Sequence, residues 1–159
     1  MLPPELRTDF QHFAAWRQGV YEVLDLVARQ WDRPAIVPMT LINPGYFEQV
    51  VGRLRADGHD VWHFSLLADR ATVLRRLRGR TFGLGLRHGQ WAVARLDECL
   101  AQLQDPLFAE HVQTDGLSVP HVADAIARSA GLVIRPDADG AVRGRLRRYR
   151  TTLAHIHHY

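Results

Sequence analysis

The chain contains no lysine; all 20 of its Lys+Arg residues are arginine. A glycine-rich phosphate loop of the form G-x-x-x-x-G-K-S/T needs its lysine on the outer phosphates of a nucleotide. That loop is therefore not among these 159 residues. Cysteine is nearly absent as well. Cys99 stands alone, which excludes an intrachain disulfide and suits a reducing, cytoplasmic setting. No apolar run approaches the ~20 residues of a membrane helix, so no transmembrane segment is expected. The opening MLPPELRTDF has neither a basic n-region nor an apolar h-region, so no secretory leader is expected. What remains is a chain 47% hydrophobic and 23% charged, a balance that fits one globular domain over residues 1–159.

Acid is missing from one end. Residues 1–140 carry 15 arginines against 17 acidic residues, whereas residues 141–159 carry five arginines and no acid. The basic character is largely a property of that tail. Such a tail could grip nucleic acid, but a solvated last helix over 142–159 accounts for it more simply.

Apolar periodicity places the elements. Phe13, Trp16, Val20, Leu24, Val27 and Trp31 recur at three- and four-residue spacing, which predicts an amphipathic helix ending before Pro34. Ala35–Leu41, AIVPMTL, reads as a short buried strand. Asn43-Pro44 opens the next helix, with Phe47, Val50, Val51 and Leu54 as its buried stripe and Gly58 as its end. Val61–Leu67 is a second strand, and Asp69 caps the helix carrying Val73, Leu74 and Leu77. Thr81–Gly89, TFGLGLRHG, is aperiodic and glycine-rich, hence a loop. Trp91–Leu103 is helical, with Val93, Leu96, Leu100 and Leu103 inward. A strand at Val112 leads through Thr114-Asp115-Gly116 to Ser118, which caps a helix with Val122, Ala125 and Ile126 inward. Strands alternating with helices of this length predict an α/β fold with a parallel sheet and right-handed crossovers. Ligands in such sheets sit at the carboxyl ends of strands. That rule selects Thr40, Ala68-Asp69 and Thr114-Asp115-Gly116.

The order of these segments closely resembles that of the tunicamycin-resistance ATP-binding proteins, a branch of the P-loop kinase-like NTPases. The resemblance is carried by IVPMTLINPGYF, HFSLLADRATVLRRLR, QWAVARLDECL, HVQTDGLSVPHVADAIA and the ending RGRLRRYRTTLAHIHHY. It implies a three-layer sandwich around a parallel sheet. It also implies that a first strand, the phosphate loop, a helix and a second strand precede the point matching Met1. On that reading the chain is an incomplete P-loop kinase-like domain, and Ala35–Leu41 and Val61–Leu67 lack the central strand between them. The complete form would bind ATP with Mg2+ and act on an unknown small-molecule substrate; the chain alone would be inert.

The same resemblance assigns roles. Arg76 would pack on the adenine ring and Arg80 would face the phosphates, where a fixed guanidinium stabilises transferring charge. Thr81–Gly89 would form a lid. The backbone of Asp115, Gly116 and Leu117 would lie beside the base, and Thr40 would approach magnesium or the acceptor. Read from spacing alone, these arginines are a solvated helix face, Ser118 is a cap and Thr40 is a strand end. No Asp or Glu lies in AIVPMTL to serve as a magnesium ligand. His155, His157 and His158 lack a carboxylate or cysteine partner, so no metal site is expected there. Cys99 and the four tryptophans are expected to pack. Two other classes stay open: a non-enzymatic nucleic-acid-binding module, and a decayed remnant with no ligand.

Overall fold

The computed structural model describes residues 9–80 and 93–134, the side chains of Gly79 and Arg80 excepted. The chain divides into two compact units, Met1–Val122 and Ala123–Tyr159. The predicted loop at 81–89 and tail at 142–159 lie outside the described residues, as does Trp91.

In the first unit, Asp9 accepts a hydrogen bond from the Gln11 amide and caps a short 3-10 turn, Phe10–His12. Helix α1, Ala14–Gln30, then follows the predicted periodicity. Its middle faces the core through Trp16, Val20, Tyr21 and Leu24. Its end does not, for Trp31 is 57% exposed, as is Trp62 at 50%. These two rings are surface residues rather than core.

Helix α2 covers residues 44–56 in three contiguous pieces: an α-helical Pro44–Phe47, a π-turn at Glu48–Gly52 and an α-helical Arg53–Ala56. It starts as expected. The Asn43 side chain accepts the Tyr46 amide at 3.1 Å, and Pro44, which has no amide hydrogen to satisfy, takes the first helical position. It also ends as expected. Gly58 adopts φ +88°, and the His59 amide returns to the Leu54 carbonyl at 3.1 Å. Phe47, Val50 and Leu54 are buried. They join Tyr21, Leu41 and Phe108 in one apolar cluster. Phe108 meets Phe47 edge-to-face at 5.2 Å, and the His63 ring stands against Phe47 at 4.8 Å.

The sheet is small. Strand β1, Ser65–Leu67, pairs in parallel with β2, His111–Gln113, in the register Ser65↔His111, Leu66↔Val112 and Leu67↔Gln113. The ladder runs a step further at each end, from Glu110 amide to His63 carbonyl and from Thr114 amide to Leu67 carbonyl. Helix α3, Arg70–Arg80, follows β1. Helix α4, Leu96–Gln102, turns Leu96 inward, while Val93 is 40% exposed rather than buried. Helix α5, Val119–Ser129, begins in the first unit. The Ser118 carbonyl accepts the Val122 amide, as a cap should. In the second unit α5 closes on Gly131 at φ +65°, with the Leu132 amide on the Ala127 carbonyl at 2.8 Å.

The described residues are thus a mixed, helix-rich arrangement with a small parallel sheet. One expected strand is not formed: Ala35–Leu41 pairs with no strand. A strand needs a ladder neighbour, and among the described residues the sheet contains β1 and β2 alone. Ile36 is 89% exposed, and a bond from the Gln11 side chain to the Thr40 carbonyl at 2.8 Å anchors the segment's end. Burial begins only at Leu41 and Ile42. Val61–Phe64 likewise fall outside the strand that the sequence extended over Val61–Leu67. Among the described residues no helix is long and apolar enough to cross a membrane.

Candidate functional site

Parallel pairing brings the ends of β1 and β2 side by side, and their next residues turn away together. The Thr114 amide and hydroxyl both bond the Leu67 carbonyl, at 2.8 and 2.9 Å. One residue on, Asp115 Oδ2 accepts the Asp69 amide at 2.8 Å, at the start of α3. The chain then reverses at Gly116, whose φ of +68° disfavours any residue with a Cβ. The Leu117 amide closes the turn on the Thr114 carbonyl at 3.3 Å.

Helix α3 supplies the clamp. Arg76 Nη1 donates to Thr114 Oγ1 at 2.9 Å, and Nη2 donates to the Thr114 carbonyl at 2.8 Å. Both bonds lie along the guanidinium edge, so they fix its plane. Arg75 reaches back to the Thr72 hydroxyl at 3.2 Å. Thr72 and Thr114 are buried, while the backbone at Gly116 and the Leu117 side chain are exposed. A Cβ built on Gly116 meets nothing within 4 Å, so the turn borders open space.

The electrostatics follow from these contacts. The Thr72 hydroxyl, then the Asp69 amide, hold the Asp115 carboxyl below the usual carboxylate range, and Arg76 and Arg75 add to this. Asp115 Oδ1 is buried and takes no well-aligned hydrogen bond, although the Thr72 hydroxyl lies against the carboxyl. At the outer edge Arg70 and Asp97 form an exposed fork, with Nε to Oδ1 at 2.7 Å.

Of the residues selected from sequence, the structure brings together Arg76, Asp115, Gly116 and Leu117. Thr40 stands apart, on the unpaired segment, with no hydrogen bond to Arg76 or to the turn among the described residues. The Arg80 side chain lies outside the described residues. Thr114, selected as a strand end but given no role, and Thr72, not selected at all, both organise the site. A threonine at a strand end is a weak signal, because only the fold shows that its hydroxyl faces an arginine 38 residues away. Cys99 is partly buried on α4, and burial pushes its thiol up, as packing requires. Among the described residues no group of His, Cys, Asp and Glu comes together in a way that could hold a metal ion. The three tail histidines lie outside them.

No protein-family model and no curated protein matches the chain. Among solved structures it is similar to that of the Deinococcus radiodurans tunicamycin resistance protein, at 28% identity and a TM-score of 0.68, over 84% of this chain and 76% of that one. A likeness of this extent, found in the family whose segment order the sequence follows, supports a place for the chain among the tunicamycin-resistance proteins.

Proposed function

We propose that this is an ATP-binding, P-loop kinase-like protein of the tunicamycin-resistance type, and that the turn at Asp115–Leu117 with Arg76 forms the wall beside the adenine. The observation that carries the reading is the convergence of these residues at the carboxyl ends of two parallel strands, where ligands of such sheets bind. The residues fit the task. Arg76 uses its edge to hold Thr114, which leaves the two faces of a planar, exposed cation for stacking on a base. The open space over Gly116 lets a ring approach the backbone.

In this reading Arg80, at the end of α3, faces the phosphates and stabilises charge as it redistributes in transfer. Bound ATP with Mg2+ supplies the phosphoryl group. The residues described here orient the base and do not move protons. A lysine-bearing phosphate loop is not among these 159 residues, so in this reading they form the base side of the nucleotide site and not its phosphate cradle. An in-frame upstream stretch encoding an apolar strand and then G-x-x-x-x-G-K-S/T is expected; a stop codon there would favour a remnant instead. Resistance is tested by expressing the complete form in a tunicamycin-sensitive host. Growth at an otherwise inhibitory dose supports the reading, and unchanged sensitivity opposes it.

A further inference from the structure

Two arginines of the first unit lie in helices far from the Arg76 site in sequence, and neither forms an ion pair with a carboxylate among the described residues. Arg17, on α1, is buried at 8% exposure. Its Nε donates to Gln49 Oε1 at 2.6 Å, its Nη1 donates to the Gln11 carbonyl, and its guanidinium carbon lies 4.2 Å from the centre of the Tyr46 ring. Arg53, on α2, is exposed but makes contacts of the same kind. It stacks over Tyr21 at 3.7 Å and donates through Nη1 to Gln18 Oε1 at 2.8 Å. All five of these partners are neutral. For Arg17 this is unusual, because a buried guanidinium ordinarily sits beside a carboxylate that offsets the cost of removing its charge from water.

Both arginines border one half-open surface pocket of about 410 Å³, lined by Ala14, Ala15, Arg17, Gln18, Gln49 and Arg53. No acid lines it. Arg17 Nη2, Arg53 Nη2 and the Gln49 side-chain NH2 make no hydrogen bond among the described residues. The rings beneath the guanidiniums and the amide bonds at their edges fix both forks before any ligand arrives. The π-turn Glu48–Gly52 is the local distortion of α2 that holds Gln49 and Arg53. The Glu48 carboxylate occupies the space that a Cβ on Gly52 would take. Turns of this kind are frequent at functional sites.

We propose that this pocket binds the phosphate group of a phosphorylated small molecule. Two preset guanidiniums match the nearly double negative charge of a phosphomonoester better than the single charge of a carboxylate. Two short alanines leave room for the remainder of the ligand. The proposal rests on this pocket alone and not on the nucleotide reading.

The test is titration of the whole chain with glycerol 3-phosphate and with inorganic phosphate, by calorimetry and by thermal shift, against sodium chloride and sodium acetate at equal ionic strength. Saturable phosphate binding that raises the melting temperature is expected, with acetate bound at least about tenfold more weakly. Arg53→Gln, at an exposed position, should lower phosphate affinity about tenfold or more while leaving the fold intact. Ala14→Glu, which brings a carboxylate to the pocket, should abolish binding and raise the melting temperature of the free protein. Arg29→Gln, a surface change of equal charge elsewhere, should leave affinity unaltered. Absence of saturable phosphate binding, equal binding of acetate, or full affinity in Arg53→Gln and Ala14→Glu would overturn the proposal.

Discussion

The Arg76 guanidinium holds Thr114 twice, through its hydroxyl at 2.9 Å and its carbonyl at 2.8 Å. The same hydroxyl donates to the Leu67 carbonyl at 2.9 Å. A single side chain thus ties the helix after β1 to both strand ends, and the turn at Asp115–Leu117 inherits its position from that knot.

Removing the hydroxyl should therefore cost stability. Thr114→Val keeps the shape but removes one of two bonds at the Leu67 carbonyl and one of two from Arg76, for a loss of about 0.5–1.5 kcal/mol in urea unfolding. Thr114→Ser, which keeps the oxygen, should lose less.

The core makes a larger demand. Phe108 is fully buried and meets Phe47 edge-to-face. Phe108→Ala should lower unfolding free energy by about 3–5 kcal/mol, because the cavity left behind cannot close fully between two helices and a strand. Circular dichroism melts would show the loss. Trp31→Ala, at a ring more than half exposed, should change the melting temperature little.

His63 gives the chain a pH dependence. Its ring is packed against Phe47 and Phe108, and burial holds its pKa below the ordinary histidine value, with the Ala109 carbonyl opposing. The folded state therefore binds this proton less readily than the unfolded state. Its contribution to stability is complete above an unfolded pKa of about 6.5 and is lost as pH falls from there through the lower folded value. Unfolding midpoints should drop as pH falls below about 6.5, and His63→Phe should flatten that drop.

Much of this fold could be read from the chain, and the failures share one cause. Local signals held: Asn43-Pro44 opened a helix, Gly58 ended it, and Phe47, Val50 and Leu54 pointed inward. The parallel pairing of Ser65–Leu67 with His111–Gln113 also followed from strands alternating with helices. Ala35–Leu41 failed because an apolar run becomes a strand only where a neighbour completes its ladder, and composition cannot supply one. In the site, glycine and a strand-following aspartate marked the turn. The Thr114 hydroxyl and the Arg17–Arg53 pocket stayed hidden, since their partners lie tens of residues away.

The most direct measurement is a calorimetric titration of the chain with ATP and Mg2+, repeated for Arg76→Ala and Arg76→Lys. The account predicts weak, saturable binding without hydrolysis. Arg76→Ala should weaken it about five- to a hundredfold, since a stacked, charge-bearing face is lost. Arg76→Lys, which keeps the charge but not the planar face, should recover only part of that loss. No saturable binding, or an affinity that Arg76→Ala leaves unchanged, would contradict the placement of adenine against Arg76 and the Asp115–Leu117 turn.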